Sequence, residues 1–215
     1  MMLDSLFRKI QKNPKKFAAH STDFESLLAS GLENMGYRLI ANPAKEIEPQ
    51  TRWKEIKQMA RANKNLEVVN PFPQFDKHFV FQPLGGQQSF DFLIMDGLRL
   101  VWLEAKTSKK EDRPTWNSHV PLIDGIYVFC NTKKEDVTFF LGDSAVSEAE
   151  RTMLLNYWDE KLAEAREFNA GLVGQGFGFK VYARKAYENT LNLITNPDRK
   201  RLEDEVIAYL SEGGE

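Results

Sequence analysis

Three side chains in the stretch SFDFLIMDGLRLVWLEAKTSKK, residues 89–110, have the types and spacing that metal-assisted hydrolysis needs. Asp91 and Glu104 are carboxylates in an otherwise apolar hairpin, and Lys106 follows two residues after the glutamate. Buried positions rarely tolerate ionised side chains unless these are paired or hold a metal. Two converging carboxylates repel each other, and a divalent cation such as Mg²⁺ removes that conflict. With an activated water and a neighbouring ammonium group, such a site can hydrolyse a phosphodiester.

The hairpin turn determines which side chains share a face of the sheet. An Asp-Gly dipeptide at 96–97 is a strong two-residue turn signal, and it predicts that paired residue numbers sum to 193. Asp91 then faces Trp102. Residues two apart on a strand share a face, so Glu104 and Lys106 lie on the side that carries Trp102. Asp91 and Glu104 become diagonal neighbours, roughly 7–8 Å apart at the backbone, whose carboxylates can converge.

An acidic residue two positions before a lysine is a weak signal by itself, because the chain contains four such tripeptides. They are Glu55-Ile-Lys57, Glu104-Ala-Lys106, Asp159-Glu-Lys161 and Asp198-Arg-Lys200. Three of them lie on predicted helices or at a helix start, where this spacing is typical of a solvated face. Only Glu104-Ala-Lys106 ends an apolar strand and has an aspartate on the partner strand. The alternative interpretation of that tripeptide is a structural ion pair at a strand end.

The segments GGQQSFDFLI, VWLEAKTSKK and PTWNSHVPLIDGIYVF follow one another between residues 85 and 129. Together they resemble the core of the PD-(D/E)xK nucleases, and most closely the type II restriction endonucleases. The resemblance implies that Asp91 and Glu104 are ligands of Mg²⁺, together with the backbone carbonyl of Ala105. It implies that Lys106 is the lysine of the catalytic motif.

The resemblance also implies a catalytic glutamate on the first helix. Glu25 in DFESLL is the best match and Glu33 the second. Glu25 has an alternative role as the capping-box partner of Thr22. The chain departs from the family pattern at Phe90, where the motif has a proline, and the helix expected between the third and fourth strands is short or absent in 107–122.

Candidate DNA contacts lie next to the catalytic hairpin and in two polar stretches outside it. Arginine, lysine, asparagine and glutamine side chains are the usual readers of phosphates and base edges. The candidates are Gln88, Ser89, Lys109, Lys110, Trp116, Asn117, Arg52, Arg61, Gln175 and Arg184. Trp116 has the alternative of closing the core, and the basic face at 52–64 has the alternative of an ordinary amphipathic helix.

The coarse pattern of the chain predicts an α/β (α+β) fold, a mixed β-sheet flanked by helices with a restriction-endonuclease-like core. Apolar periodicity and caps predict helices at 2–11, 22–35, 51–65, 147–169 and 199–211 and strands at 37–41, 125–131, 137–143 and 179–184, in addition to the hairpin. We expect one nuclease domain over 1–215. Its catalytic core is expected at 22–41 and 85–145, and its DNA-reading and dimerisation elements at 42–84 and 145–215.

Composition narrows the class of protein. The net charge of −2 argues against a generally basic protein but leaves room for a local basic stripe that binds nucleic acid. One cysteine, Cys130, cannot form an internal disulfide, and it fits a reducing compartment. We expect no membrane span, no signal peptide and a cytoplasmic location. The glycine-rich loop 171–178 lacks the context of a phosphate-binding loop, so no nucleotide cofactor is expected.

These observations lead to one expected function with two alternatives. The expected protein is a Mg²⁺-dependent type II restriction endonuclease that cuts double-stranded DNA at a short site. It is expected to be a homodimer, because two-fold symmetry matches a palindromic duplex. The first alternative is another DNA nuclease of the same fold, such as a repair nuclease or a junction resolvase. The second is a DNA-binding module without catalysis.

Overall fold

The computed structural model of the chain describes residues 3–19, 23–62, 66–86, 90–109, 113–117, 119–183, 185–188 and 192–212. Its helices are α1 (Asp4–Lys12), α2 (Pro14–Ala18), α3 (Phe24–Asn34), α4 (Pro43–Glu46), α5 (Gln50–Arg61), α6 (Gly142–Ala145), α7 (Glu148–Gly174) and α8 (Arg199–Ser211). Its strands are β1 (Arg38–Leu39), β2 (His78–Phe81), β3 (Phe92–Asp96), β4 (Arg99–Ser108), β5 (Thr115–Asn117), β6 (Gly125–Asn131), β7 (Asp136–Leu141) and β8 (Ala186–Glu188). One 3₁₀ turn covers Pro73–Phe75.

Six of the strands form one mixed sheet in the order β1-β2-β3-β4-β6-β7. The β1–β2 and β4–β6 pairs are parallel, and the other three pairs are antiparallel. β5 and β8 form a separate antiparallel pair. The predicted mixed sheet flanked by helices is therefore confirmed.

The long central strand β4 separates two apolar cores. Leu100 and Trp102 face one core, whereas the alternate residues Val101 and Leu103 face the other. α5 and the β5–β8 pair cover the first face, and α1, α3 and α8 cover the second. Because both faces are covered, β4 is apolar at successive positions and does not alternate between apolar and polar residues.

The hairpin between β3 and β4 has a register different from the predicted one. Asp96 pairs with Arg99 and Met95 pairs with Leu100, so the turn residues are Gly97 and Leu98. Tertiary contacts explain the shift: the Gly97 N–H donates to an Asp76 carboxylate oxygen at 2.7 Å, and the Asn70 side-chain amide donates to the Gly97 carbonyl at 2.9 Å. Paired residue numbers now sum to 195 instead of 193. Because the change is an even number, each side chain stays on the face of the sheet where it was predicted.

Further elements differ from the sequence prediction. α2, α6, β2 and the β5–β8 pair were not predicted, and α4 lies within the predicted loop 42–50. The strand predicted at 179–184 is not formed over its described residues 179–183, and the chain pairs three residues later, as β8 against β5. α7 begins at the predicted capping box of Ser147 and Glu150 but continues to Gly174, into the predicted glycine loop. Thr22, the predicted cap of α3, lies outside the described residues.

Candidate active site

The candidate site lies where β4 extends beyond its neighbour β3. β3 begins at Phe92, opposite Leu103, whereas β4 continues to Ser108 and pairs there only with β6. Within the part of the chain that the structure describes, the β3 side of β4 is therefore an open edge from Glu104 onward. Asp91 precedes β3 by one residue and lies at this edge. Its Oδ2 atom accepts a hydrogen bond from the Ala105 N–H at 2.7 Å.

The backbone of Asp91 is fixed by the strands on both sides. Its N–H donates to the Leu103 carbonyl at 3.0 Å, and its carbonyl accepts from the Gln82 N–H at 2.7 Å. The observed register ends at Phe92 and Leu103, and continued by one position it places Asp91 level with Glu104 instead of diagonal to it. The N–H and C=O of one strand residue point to the same side, so the Ala105 carbonyl also projects toward the open edge. The predicted pair of carboxylates and the Ala105 carbonyl are brought to one place.

Phe90 holds the second carboxylate in a way that a proline at this position could not. It has a φ angle of 66°, which a proline ring cannot adopt. Its N–H donates to Glu104 Oε2, and proline has no N–H to donate. The Phe90 ring is buried against Trp102 and Tyr127. A bulky residue at positive φ is uncommon, and such backbone conformations concentrate at functional sites.

Lys106 is directed by two contacts. Its Nζ atom forms an ion pair with Glu104 Oε1 and lies 5.5 Å from the centre of the Trp116 ring. Trp116 is only 2% exposed and packs edge-on against Tyr127 at 4.9 Å. The buried indole therefore has a fixed position, and its ring forms a cation–π contact that stabilises the ammonium group.

Burial dominates the electrostatics of the two carboxylates. Burial, followed by the charge of Glu104, raises the pKa of Asp91 to about 7, although the Ala105 N–H and Lys106 oppose the rise. Burial also raises the pKa of Glu104, and the ion pair with Lys106 is the largest opposing effect. Near neutral pH the site therefore favours a bound proton or cation over two free negative charges.

α3 adds a third carboxylate to this group. Burial and the negative charge of Asp91 raise the pKa of Glu25, which places that carboxylate within electrostatic reach of Asp91. Glu25, Phe81, Ala105 and Thr107 line one cavity of about 290 Å³. Glu33 is exposed and lies eight residues further along α3, about 12 Å away along the axis. The structure therefore favours Glu25 over Glu33 as the first-helix glutamate.

The donor set fits a hard divalent cation held largely by water and substrate. Within the described ranges, no group of three or more His, Cys, Asp or Glu side chains is arranged to hold a metal ion. Magnesium commonly binds through one or two carboxylates and keeps several waters, so it does not need an all-protein cage. Asp91, Glu104 and the Ala105 carbonyl offer oxygen ligands of this kind.

The predicted DNA contacts have mixed outcomes. Lys109 and Gln175 are exposed. Arg52 is paired with Glu55 and Glu67, and Arg61 donates to the Leu84 carbonyl at 2.8 Å, so both arginines have structural partners. Gln88, Ser89, Lys110 and Arg184 lie outside the described residues, as does the side chain of Asn117.

The prediction of a DNA contact from the Trp116 side chain is not supported. Trp116 is buried in the core, which is the alternative that the sequence left open, and its ring lies beside the Lys106 ammonium group. Sequence reasoning missed this contact and that of the Phe90 N–H. The only available signals were the tryptophan that follows the catalytic strand and the phenylalanine at the family's proline position.

Comparisons with known proteins give no relative. No family model, curated protein or solved structure matches the chain. Every helix in the described part of the chain is too short or too polar to span a bilayer. The functional argument therefore rests on the chemistry of the site.

Proposed function

We propose that this protein is a Mg²⁺-dependent type II restriction endonuclease that hydrolyses double-stranded DNA at a short specific sequence. The observation that carries the proposal is the open edge of β4. There a buried carboxylate pair with raised pKa values, a lysine and a helix glutamate meet beside an exposed backbone edge. The proposed enzyme acts on DNA in the cytoplasm as a homodimer, without a nucleotide cofactor.

Each residue has a specific task in this proposal. Asp91 and Glu104, with the Ala105 carbonyl, hold the cation. Bound Mg²⁺ supplies a positive charge that neutralises the phosphate and lowers the pKa of a water. Lys106 orients that water or balances the charge on the phosphate, and the Trp116 ring restricts where its ammonium group can lie. Glu25 lies across the cavity and is positioned to accept a proton or to hold a water.

The test is cleavage of plasmid DNA by purified protein with Mg²⁺ or with EDTA. The expected result is a set of discrete bands that requires Mg²⁺. A smear or nicking at branched structures would favour the other nucleases of this fold, and no cleavage under any divalent cation would favour a non-catalytic module. DNA binding measured in Ca²⁺ separates the last outcome from an inactive preparation.

Matched variants assign the activity to the site. Asp91→Ala and Glu104→Ala are expected to abolish cleavage and to retain binding, because they remove ligands without removing contacts to DNA. Asp198→Ala, from another of the four tripeptides, is the control and should cleave normally. Asp198 is exposed, and its side chain pairs only loosely with the exposed Arg201, at 3.5 Å. Cleavage within tenfold of wild type by both site variants would refute the assignment.

A further inference from the structure

The most unusual surface of the molecule is an arm formed by residues 148–183. α7 has 27 residues and is about 40 Å long. Its only fully buried residue is Arg151, and its partly buried Leu155 and Trp158 also lie near its start. Beyond Trp158 the helix extends into solvent. The chain then runs back along the helix, where the Asn169 side chain bonds both the N–H and the carbonyl of Val181, at 2.7 and 2.8 Å.

This arm carries most of the exposed apolar surface of the described residues. Fourteen large hydrophobic side chains are exposed among all the described residues, and nine of them lie on the arm, between residues 153 and 182. Phe179 is 88% exposed and Tyr182 is 83% exposed. Five of the nine are aromatic and 52–88% exposed, and since an aromatic side chain can bury about 150–250 Å², these five alone expose roughly 700 Å². A monomer seldom exposes a patch larger than a few hundred Å² without a binding role.

The apolar residues of α7 form one stripe. At 3.6 residues per turn, Met153, Leu154, Tyr157 and Phe168 fall within an arc of about 100°. The residues that anchor the helix to the core, Leu155 among them, lie on a different arc. The stripe is therefore an additional face. At its start, Met153 and Leu154 also line a cavity with Trp116, and from Tyr157 onward its apolar side chains are exposed.

The charges on the arm indicate which kind of partner binds it. α7 contains six acidic and three basic residues, a net charge of −3, whereas residues 175–185 contain three basic residues and no acidic ones. An acidic helix repels DNA phosphates, and helices that bind membrane surfaces carry basic residues on the polar face. Within one chain, Lys185 already pairs with Asp159 of α7 at 3.5 Å, and α7 remains a predominantly acidic helix. A second copy of the arm offers Lys180 to that helix, in addition to an apolar stripe of the same shape.

We propose that the arm is the interface through which two copies of this chain form a two-fold dimer. An isologous interface must be self-complementary, and the arm combines an apolar stripe and an acidic helix with a basic residue, Lys180. Lys161 and Glu164 lie within the stripe, between Tyr157 and Phe168, and pair with each other at 2.8 Å. In a two-fold dimer, Lys161 of each copy can pair with Glu164 of the other copy. The exposed apolar area is close to the 800 Å² or so that each partner buries in a stable complex.

The first test is the mass of the full chain in solution, measured by light scattering and sedimentation from about 1 to 100 µM. The expected species has twice the chain mass of 24.8 kDa. The double variant Met153→Asp/Tyr157→Asp should weaken dimerisation at least ~100-fold, because two interface anchors commonly contribute this much or more. Leu98→Asp is the matched control, because Leu98 has the same 72% exposure as Met153 and lies on the hairpin turn.

The second test needs no destabilising substitution. A cysteine introduced as Lys161→Cys should form a disulfide-linked dimer under mild oxidation, whereas Lys200→Cys, on the exposed face of α8, should not. The native Cys130 is buried and does not compete. A wild-type monomer throughout the concentration range would overturn the proposal, and so would a dimer that neither the arm variant nor the cross-link affects. Neither test uses DNA or metal, so its outcome is independent of the proposed nuclease activity.

Discussion

Lys106 is confined by two neighbours of different kinds, the Glu104 carboxylate and the Trp116 ring. An ammonium group held in this way is preorganised, and positioned acid–base groups contribute at least about 10²-fold to rate. We therefore expect Lys106→Ala to reduce the single-turnover cleavage rate by at least about 10²-fold at saturating enzyme. DNA binding should change little.

The chain offers a control for this substitution in another of its four tripeptides. Lys200 has a side chain that is 81% exposed and pairs with Asp204 on the surface of α8. Lys57 is a poorer control, because its ammonium group lies 5.0 Å from the centre of the Trp53 ring and its removal disturbs packing. Lys200→Ala should cleave like wild type. Equal losses in the two variants would show that the wrong tripeptide was assigned to catalysis.

Asp91 makes folding depend on pH when no metal is present. Its pKa is raised in the folded chain from an ordinary value of 3.8 to about 7, mainly by burial. The fold therefore accommodates the protonated carboxyl better, and this contribution to stability is complete below about pH 4 and is lost as the pH rises through 7. The pKa of Glu104 is raised too, so its contribution has the same direction. In EDTA, the free energy of unfolding should fall between pH 5 and pH 8.

Asp91→Asn removes the charge at nearly constant shape and tests this dependence. Urea unfolding should show the variant to be more stable than wild type at pH 8, by at least about 1 kcal/mol, and this difference should shrink as the pH is lowered toward 4. The control Asp198→Asn should retain the wild-type pH dependence. A wild-type free energy of unfolding that is flat or rising from pH 5 to pH 8 would contradict the raised pKa of Asp91.

At the scale of elements, the site depends on how β6 packs beside β4. A Cβ atom at Gly125, the first residue of β6, would lie 2.9 Å from the Phe90 ring and 3.1 Å from the Tyr127 ring. Both rings are buried, so Gly125→Ala must displace Phe90, whose N–H holds Glu104. We expect a loss of about 1–3 kcal/mol in stability, typical of overpacking, and a lower cleavage rate.

Gly171→Ala is the matched control for this element. No heavy atom lies within 4 Å of the added Cβ position in α7, and alanine is favoured over glycine within a helix by roughly 0.5–1 kcal/mol. The control should be as stable as wild type or more so. Thermal melts and cleavage rates of both variants give the comparison, and a Gly125→Ala variant with wild-type melting and cleavage would show that the Phe90 contact is dispensable.

The elements also show what the sequence could predict. The hairpin, β6, β7, α7 and α8 were predicted because each has a long apolar pattern or a clear cap. β2 was missed because HFVF is a four-residue strand that directly follows a proline-rich break. The hairpin register was wrong by two because Asp76 and Asn70, distant in sequence, bond Gly97.

At the site, residue types were easier to predict than their supports. Asp91, Glu104 and Lys106 could be selected because alternation along the strands preserves parity despite the register error. The positive φ angle of Phe90 could not be predicted, because no local sequence pattern encodes a positive φ at an apolar residue. The contact between Lys106 and Trp116 joins two strands that are not neighbours in either sheet, so it depends on tertiary packing.

At the scale of the whole molecule, the proposed active site lies at the β4 edge and the proposed dimer interface lies on the arm. The two strands of a DNA duplex are related by a two-fold axis, so a two-fold dimer presents one site to each strand. If both proposals hold, dimerisation through the arm couples the two cuts. A monomer would instead cut one strand and leave a nicked circle.

The time course of plasmid cleavage tests this coupling. Wild type is expected to convert supercoiled plasmid to linear DNA with little nicked intermediate. Met153→Asp/Tyr157→Asp should accumulate nicked circles, since its arm no longer holds a second copy while its β4 edge is unchanged. Leu98→Asp should behave like wild type. If the arm variant is monomeric by mass and still produces linear DNA directly at the wild-type rate, then concerted cutting does not depend on the arm, because a single copy would be cutting both strands.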